Sequence, residues 1–107
     1  MRRLPPALAA AATPRILELL GDGPGRVLEL GFAGIHARPL ELAGWDVVVV
    51  EPDPARAEQA RQRGAQVVEC PDGRYDAVVA PKGADLAGVD AARIVLLDER
   101  GIASMSG

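Results

Sequence analysis

Two acidic residues and two glycines form the pattern in this sequence that points most directly to chemistry. Glu29 lies inside the apolar run 26–30, and Gly31 and Gly34 follow that run. Glycines there let a chain turn sharply after a strand and let its backbone approach a ligand closely. Glu51 ends a second apolar run 20 residues after Gly31, the position at which nucleotide-binding folds bind ribose hydroxyls. The spacing predicts a nucleotide site.

The glycine pattern departs from the dinucleotide fingerprint G-x-G-x-x-G. Ala33 stands where the second glycine belongs, and position 36 is His36. Two glycines alone are weak evidence, so a tight turn that binds no ligand stays an alternative. An ordinary solvent-exposed carboxylate is likewise the alternative for Glu51, because charged residues usually lie outside.

Few other side chains could contribute to a reaction. His36, the single histidine, lies on the turn and is either a base or acceptor contact, or a partly solvated loop residue. Lys82, the single lysine, follows the fourth predicted strand and is either an acceptor-site residue or a surface lysine. One cysteine, Cys70, and one histidine cannot form a zinc site, so we expect no metal.

Bulk properties narrow the class of protein. The 107 residues, 49% of them hydrophobic, predict one globular domain over 1–107. A net charge of −3 without a basic stripe disfavours nucleic-acid binding. No stretch approaches the length of a membrane span, and the lone cysteine excludes an intrachain disulfide. A location in the reducing cytoplasm is the expectation.

Strands and helices alternate along the chain. Thr13 and Pro14 predict the start of a helix that could also begin earlier, near Pro6. We expect an N-terminal helix and loop over 1–25, a βαβ core over 26–98 and a flexible tail over 99–107. The predicted strands cover 26–30, 45–51, 65–70, 75–80 and 93–99, and the predicted helices between them cover 39–43, 54–63 and 84–92.

This alternation predicts an α/β fold of three layers with a Rossmann-like topology. We expect a five-stranded parallel sheet in the order 3-2-1-4-5, with helices on both faces. The unbroken valines at 47–50 predict that strand two is buried on both faces and lies inside the sheet. Ligands of such sheets bind at the carboxyl ends of the strands, where the strand order reverses, and the glycine turn follows strand one there.

Three segments, "VLELGFAG", "WDVVVVEPDPARAEQARQRGAQVVEC" and "GRYDAVVA", together resemble the nucleotide-binding half of class I S-adenosylmethionine-dependent methyltransferases. That family has an acidic-x-Gly-x-Gly-x-Gly turn, an acidic residue ending strand two, and Phe or Tyr followed by Asp entering strand four. The resemblance spans residues 13–98. The matching residues are Glu29, Gly31, Glu51, Tyr75 and Asp76.

The resemblance implies an S-adenosylmethionine or S-adenosylhomocysteine site. In the family, the residue at the position of Glu29 lies near the amino-acid end of the cofactor, where a carboxylate contacts the ammonium group directly or through water. Asp72 lies where the family contacts the adenine amine. The residues implied in cofactor binding are Glu29, Gly31, Phe32, Ala33, Gly34, Glu51, Pro52 and Asp72.

Some features of the family pattern are missing. Ala33 and Ile35 replace the second and third glycines, and no strands that would close the sheet are expected after strand five. The apolar residues 94–97 would then form a bare sheet edge, which invites pairing with another chain. We therefore expect a homodimer or a protein partner near strand five.

Three functional interpretations remain open. The first is a small methyltransferase-like protein that binds S-adenosylmethionine or its demethylated product, with or without independent catalytic activity. The second is a regulatory module that binds NAD or another adenosine nucleotide, and the third is a non-catalytic interaction scaffold. Glu29 and the pair Tyr75–Asp76 favour the first over the second, whereas the missing glycines favour the third over active catalysis.

Overall fold

The computed structural model describes residues 6–106; residues 1–5 and Gly107, parts of the predicted N-terminal segment and tail, lie outside the described residues. The described helices and strands alternate through the first half of the chain, and strands follow one another in the second half. The elements are α1 (Pro6–Ala11), α2 (Thr13–Leu20), β1 (Arg26–Leu30), α3 (Ala37–Leu42), β2 (Asp46–Val50), α4 (Pro54–Gln62), β3 (Gln66–Val67), β4 (Arg74–Pro81), β5 (Asp90–Asp98) and β6 (Gly101–Ser106).

The strands form one sheet in the order β3-β2-β1-β4-β5-β6. The first five are parallel, which confirms the Rossmann-like fold and the order 3-2-1-4-5. β1 pairs with β2 on one side and β4 on the other, so the order reverses beside β1. The turn after β1 therefore lies at the switch point, as predicted.

The predicted flexible tail is wrong, because 101–106 forms the sixth strand. β6 pairs antiparallel with β5, in the register Asp98↔Gly101 and Leu97↔Ile102. Gly101 adopts the left-handed φ of +109° that the reversal requires. The Arg100 amide donates to the Asp98 carboxylate at 2.8 Å, and Ile102 packs against the core. Local hydrogen bonds and one partly buried side chain thus hold the hairpin.

β6 also removes the bare edge on which the prediction of a partner near strand five rests. β5 is paired with β4 on one side and with β6 on the other. Val95 and Leu97 are almost fully buried at 0% and 1% exposure. The expectation of a homodimer or partner pairing with strand five therefore loses its premise.

Different parts of the chain pack on the two faces of the sheet. All four helices pack on the face that carries Val47 and Val49 of β2, in one apolar core. Val48 and Val50 point to the opposite face, so β2 is buried on both sides, as its valine run predicts. Within residues 6–106 no helix covers that opposite face, where residues of the connecting segments 68–73 and 82–89 pack instead.

The predictions of helices on both faces and of a helix over 84–92 are therefore wrong. Only the six residues 68–73 connect β3 to β4, which is too few for a crossover that contains a helix. β3 is correspondingly short, since Val68 already leaves the sheet. In the next connection a turn closes from the Val89 amide to the Leu86 carbonyl, and Gly88 has a φ of +79° that no helix accommodates.

Candidate functional site at the carboxyl ends of β1 and β2

The turn after β1 is built from left-handed residues. Gly31, Ala33 and Gly34 have φ values of +80°, +53° and +78°. The Gly31 amide donates to the Val50 carbonyl at 3.0 Å, which ties the turn to the end of β2. A left-handed alanine costs about 1–2 kcal/mol. The surrounding structure therefore holds Ala33 in a strained conformation where the family has glycine.

Gly34 has little room for a side chain because α4 lies against it. A Cβ atom at Gly34 would lie 3.2 Å from the Ala60 Cβ and 3.4 Å from the Ala60 Cα, whereas a Cβ at Gly64 would have nothing within 4 Å. Gly64 has a similar φ of +85°. A comparison of Gly34 with Gly64 therefore separates the effect of the left-handed backbone from the effect of crowding by α4.

We expect Gly34→Ala to destabilise the protein more than Gly64→Ala does. Both variants lose about 1–2 kcal/mol to the left-handed backbone, and Gly34→Ala loses about 1 kcal/mol more because its methyl group is overpacked. Urea unfolding of the two variants measures the difference. Equal losses would show that α4 does not press on the turn.

Glu29 supports this turn from inside the protein. Its side chain is fully buried, and its Oε2 accepts a hydrogen bond from the His36 amide at 2.9 Å. Burial raises the pKa of Glu29 to about 7, although the amides of His36, Gly34 and Ile35 and the charge of Arg63 oppose the shift. The carboxylate thus faces the amides of the turn, not solvent. The ammonium contact that the resemblance implies would require the turn to open.

His36 is a core residue and not a solvated loop residue. Its ring is fully buried, and its Nδ1 lies 2.8 Å from the Thr13 hydroxyl oxygen, which links α2 to the turn. Burial lowers the pKa of His36 to about 4, so the ring is neutral near pH 7. Its Nε2 has no hydrogen-bond partner among the described residues. This environment does not offer His36 to a substrate as a base.

Phe32 and Ala33 also lie inside the protein. Each is 2% exposed, and Phe32 belongs to the helix-side core, where its ring meets His36 edge-on at 5.1 Å. Neither side chain is exposed to solvent, so neither can contact a ligand at the surface of the turn as the protein stands. Turn carbonyls and amides remain as the groups of this segment that can meet a ligand.

Glu51 and the turn come together, as the spacing predicts. The Glu51 side chain accepts hydrogen bonds from the Asp53 amide at 2.9 Å and from the Arg56 Nε at 3.0 Å. The Nη2 of Arg56 lies 3.4 Å from the Gly31 carbonyl oxygen. One guanidinium therefore bridges the glycine turn and the carboxylate at the end of β2. Pro52 is exposed beside them.

Sequence reasoning missed the arginines of α4. Arg56 reaches the Gly31 carbonyl from the first turn of the helix, and Arg63, just after the helix, donates to the Ala33 carbonyl. The sequence did contain a signal for Arg56. This residue comes five residues after Glu51 and lies in the first turn of a helix that starts with Pro54. Such a residue points back toward the amino end of its helix.

Asp72 lies at the amino ends of the strands, opposite the carboxyl ends that carry this site, and is not part of it. Its Oδ1 accepts from the Arg26 guanidinium at 3.1 Å and from the Tyr75 hydroxyl at 3.3 Å. Arg26 begins β1 and Tyr75 lies near the start of β4, so this cluster marks the amino ends of the strands. The predicted adenine contact is corrected: the segment 68–73 crosses the sheet and carries Asp72 away.

The Tyr75–Asp76 signature has a structural role in the same cluster. Asp76 accepts a hydrogen bond from the Arg26 amide at 2.7 Å, and the Arg26 guanidinium lies over the Tyr75 ring at 4.5 Å. The buried tyrosine and its aspartate therefore join the starts of β1 and β4. The positive charge over the aromatic face adds a cation–π contact.

Other features lie at the carboxyl edge. Lys82 follows β4 with an exposed side chain, and its amide donates to the Leu97 carbonyl at 2.7 Å. A cavity of about 320 Å³ opens between the N-terminal helices and the β5–β6 turn. Its lining residues are Leu8, Ala11, Ala12, Arg15, Glu99, Arg100, Gly101 and Ile102.

Across 6–106, no cluster of three or more histidine, cysteine or acidic side chains could hold a metal ion. None of the helices in that range is long and apolar enough to cross a membrane.

Comparison with solved structures shows what this arrangement is similar to. The chain superposes on the glycopeptide N-methyltransferase MtfA with a TM-score of 0.61 at 19% identity, covering 81% of this chain and 52% of that one. The fold is that of the Rossmann-like methyltransferases. The sinefungin complex of MtfA gives a TM-score of 0.62 at 18% identity, and the S-adenosylmethionine complex gives 0.61 at 17% identity. Each covers 82% of this chain and 53% of MtfA.

The chain spans about half the length of the solved structures that it matches. No protein-family model matches the sequence, and no curated protein matches it.

Proposed function

We propose that this protein binds S-adenosylmethionine or S-adenosylhomocysteine at the turn 31–34 and Glu51, as a methyltransferase-like protein. The observation that carries the proposal is that Arg56 contacts both the Gly31 carbonyl and the Glu51 carboxylate. These two groups therefore lie close together at the carboxyl ends of β1 and β2. The fold is shared with MtfA, whose structures hold S-adenosylmethionine and sinefungin. No corresponding similarity supports NAD.

The chemistry expected of such a site is positioning. When bound, S-adenosylmethionine supplies an activated methyl group, and transfer then depends on holding the acceptor in line with the sulfonium. His36 is neutral and buried, so it supplies no accessible base. The cavity beside the β5–β6 turn lies at the same edge of the sheet and is the place we propose for an acceptor, with Lys82 as a second candidate contact.

Independent catalysis is not part of the proposal, because the turn departs from the glycine pattern of the methyltransferases and its carboxylate is covered. Ala33 occupies a left-handed position in the turn, and Arg56 already contacts the ribose-binding carboxylate. We propose a cytoplasmic location, where the exposed Cys70 stays reduced. A protein partner on the β5 side of the sheet would have to pair with β6 instead of β5.

Calorimetric titration with S-adenosylmethionine, S-adenosylhomocysteine and NAD tests the proposal. We expect Glu51→Gln to weaken binding of both adenosyl ligands by about 1.5–3 kcal/mol, the range for a hydrogen bond to a charged group. The matched control is Glu58→Gln, which makes the same change at an exposed residue of α4. Equal affinities of Glu51→Gln and wild type would contradict the ribose role, and a preference for NAD would favour the nucleotide-binding alternative.

A further inference from the structure

Arg56 covers the carboxylate that the proposed function assigns to ribose. The Glu51 side chain is 0% exposed, whereas the Arg56 side chain is 20% exposed and lies 3.0 Å from its Oε1. The second contact of Arg56, 3.4 Å to the Gly31 carbonyl, is long for a hydrogen bond. The guanidinium thus lies across the ribose end of the site and is held mainly by the carboxylate itself.

A ribose cannot reach this carboxylate while Arg56 stays in place. Ribose hydroxyls donate to the carboxylate oxygens, and a donor must come within about 3 Å of its acceptor. The Asp53 amide also holds Glu51, but it belongs to the backbone between β2 and α4 and has no freedom to leave. The Arg56 side chain is long, flexible and 20% exposed, so it can move.

We propose that Arg56 is a gate for the adenosyl ligand. In the free protein it pairs with Glu51, and on binding it swings toward solvent and yields the carboxylate to the ribose diol. The inference rests on the proposed function, because it concerns the same carboxylate. Binding must then break a partly buried ion pair, and the apparent affinity of the site falls below its intrinsic affinity by that amount.

The gate predicts that removing Arg56 tightens binding. We expect Arg56→Ala to bind S-adenosylhomocysteine about tenfold more tightly than wild type, because an ion pair no longer competes with the ribose. S-adenosylhomocysteine is the probe because it lacks the sulfonium charge, so loss of a nearby cation does not itself alter attraction. The control is Arg61→Ala, because the Arg61 guanidinium is exposed and pairs with Glu58 at 3.6 Å. The affinity of this variant should equal that of wild type.

A second measurement separates competition from a structural role. If Arg56 competes with the ribose, Arg56→Ala should have lower thermal stability without ligand and higher affinity for the ligand. If Arg56 instead positions Glu51, the same variant should lose both stability and affinity. Arg56→Gln removes the charge and keeps much of the side chain, so it decides the question if Arg56→Ala fails to fold. Equal or weaker binding by the folded variants would overturn the gate.

The outcomes also distinguish the gate from the proposed function. Binding by wild type that Glu51→Gln weakens and Arg56→Ala leaves unchanged would overturn the gate alone. Binding that appears only after Arg56 is replaced would support both. No binding of S-adenosylhomocysteine to wild type, Arg56→Ala or Arg56→Gln at millimolar ligand would overturn both.

Discussion

Phe32→Ala is expected to lower the free energy of unfolding by about 3–5 kcal/mol, the range for deleting a buried aromatic ring. The Phe32 side chain is 2% exposed, lies in the helix-side core and contacts the His36 ring edge-on. The turn cannot close over the space because Glu29 and the arginines of α4 hold its backbone in place. Urea unfolding measures the loss.

This result would distinguish a core residue from one that lines a cofactor cleft. A cleft residue would cost ligand affinity and leave stability nearly unchanged when truncated to alanine. Leu42→Ala is the control, since Leu42 is 73% exposed on α3 and its truncation should change stability by less than about 0.5 kcal/mol. Similar small losses in the two variants would place Phe32 outside the core.

Glu29→Gln is expected to change how stability depends on pH. Burial raises the pKa of Glu29 to about 7 in the folded protein from 4.5. The folded state therefore retains a proton that the unfolded chain releases, and wild-type stability from this group is full below pH 4.5 and lost as pH rises through 7. Glutamine does not titrate. The free energy of unfolding of Glu29→Gln should rise relative to wild type by about 3 kcal/mol between pH 4.5 and 8.

The comparison must use the difference between the two proteins, because His36 acts in the opposite direction. Burial lowers the pKa of His36 to about 4, so this group lowers stability as pH falls below 6.5. The two slopes oppose each other in the wild type, and subtraction removes the contribution of His36. Denaturant midpoints at several pH values give the curves, with Glu58→Gln as an exposed control. Parallel curves for Glu29→Gln and wild type would contradict the buried, protonated carboxyl.

Patterns carried by single strands were enough to predict the sheet. The valine run of β2 and the short connections around it determine a parallel sheet and place the turn at its switch point. The interior of the site was not predictable in the same way. Glu29 and His36 are polar residues that a sequence assigns to the surface, and their burial depends on Thr13 and α4, which are distant in sequence.

Two other predictions were wrong for the same reason, because each depended on contacts between segments that are distant in sequence. The strand β6 forms because Ile102 finds the helix-side core, and that core exists only once the sheet is assembled. Asp72 was assigned to the ligand edge only from the resemblance to the methyltransferases, whose adenine contact lies at that point of the sequence. A short connection returns it to the amino ends of the strands, where Arg26 and Tyr75 bind it. Both errors concern where a segment lies relative to the assembled sheet, and local residue propensities do not encode that.

The helix-free face of the sheet gives this scaffold an unusual tolerance for added sequence. Its cover consists of the connections 68–73 and 82–89, whose ends are fixed by paired strands. Doubling the length of a flexible connection costs only about 0.6 kcal/mol in closure entropy. A helix or a whole recognition module could be grafted into either connection while the parallel strands and the turn beyond β1 keep their register. New binding surface could thus be added on one side of the sheet while Gly31 and Glu51 stay in place.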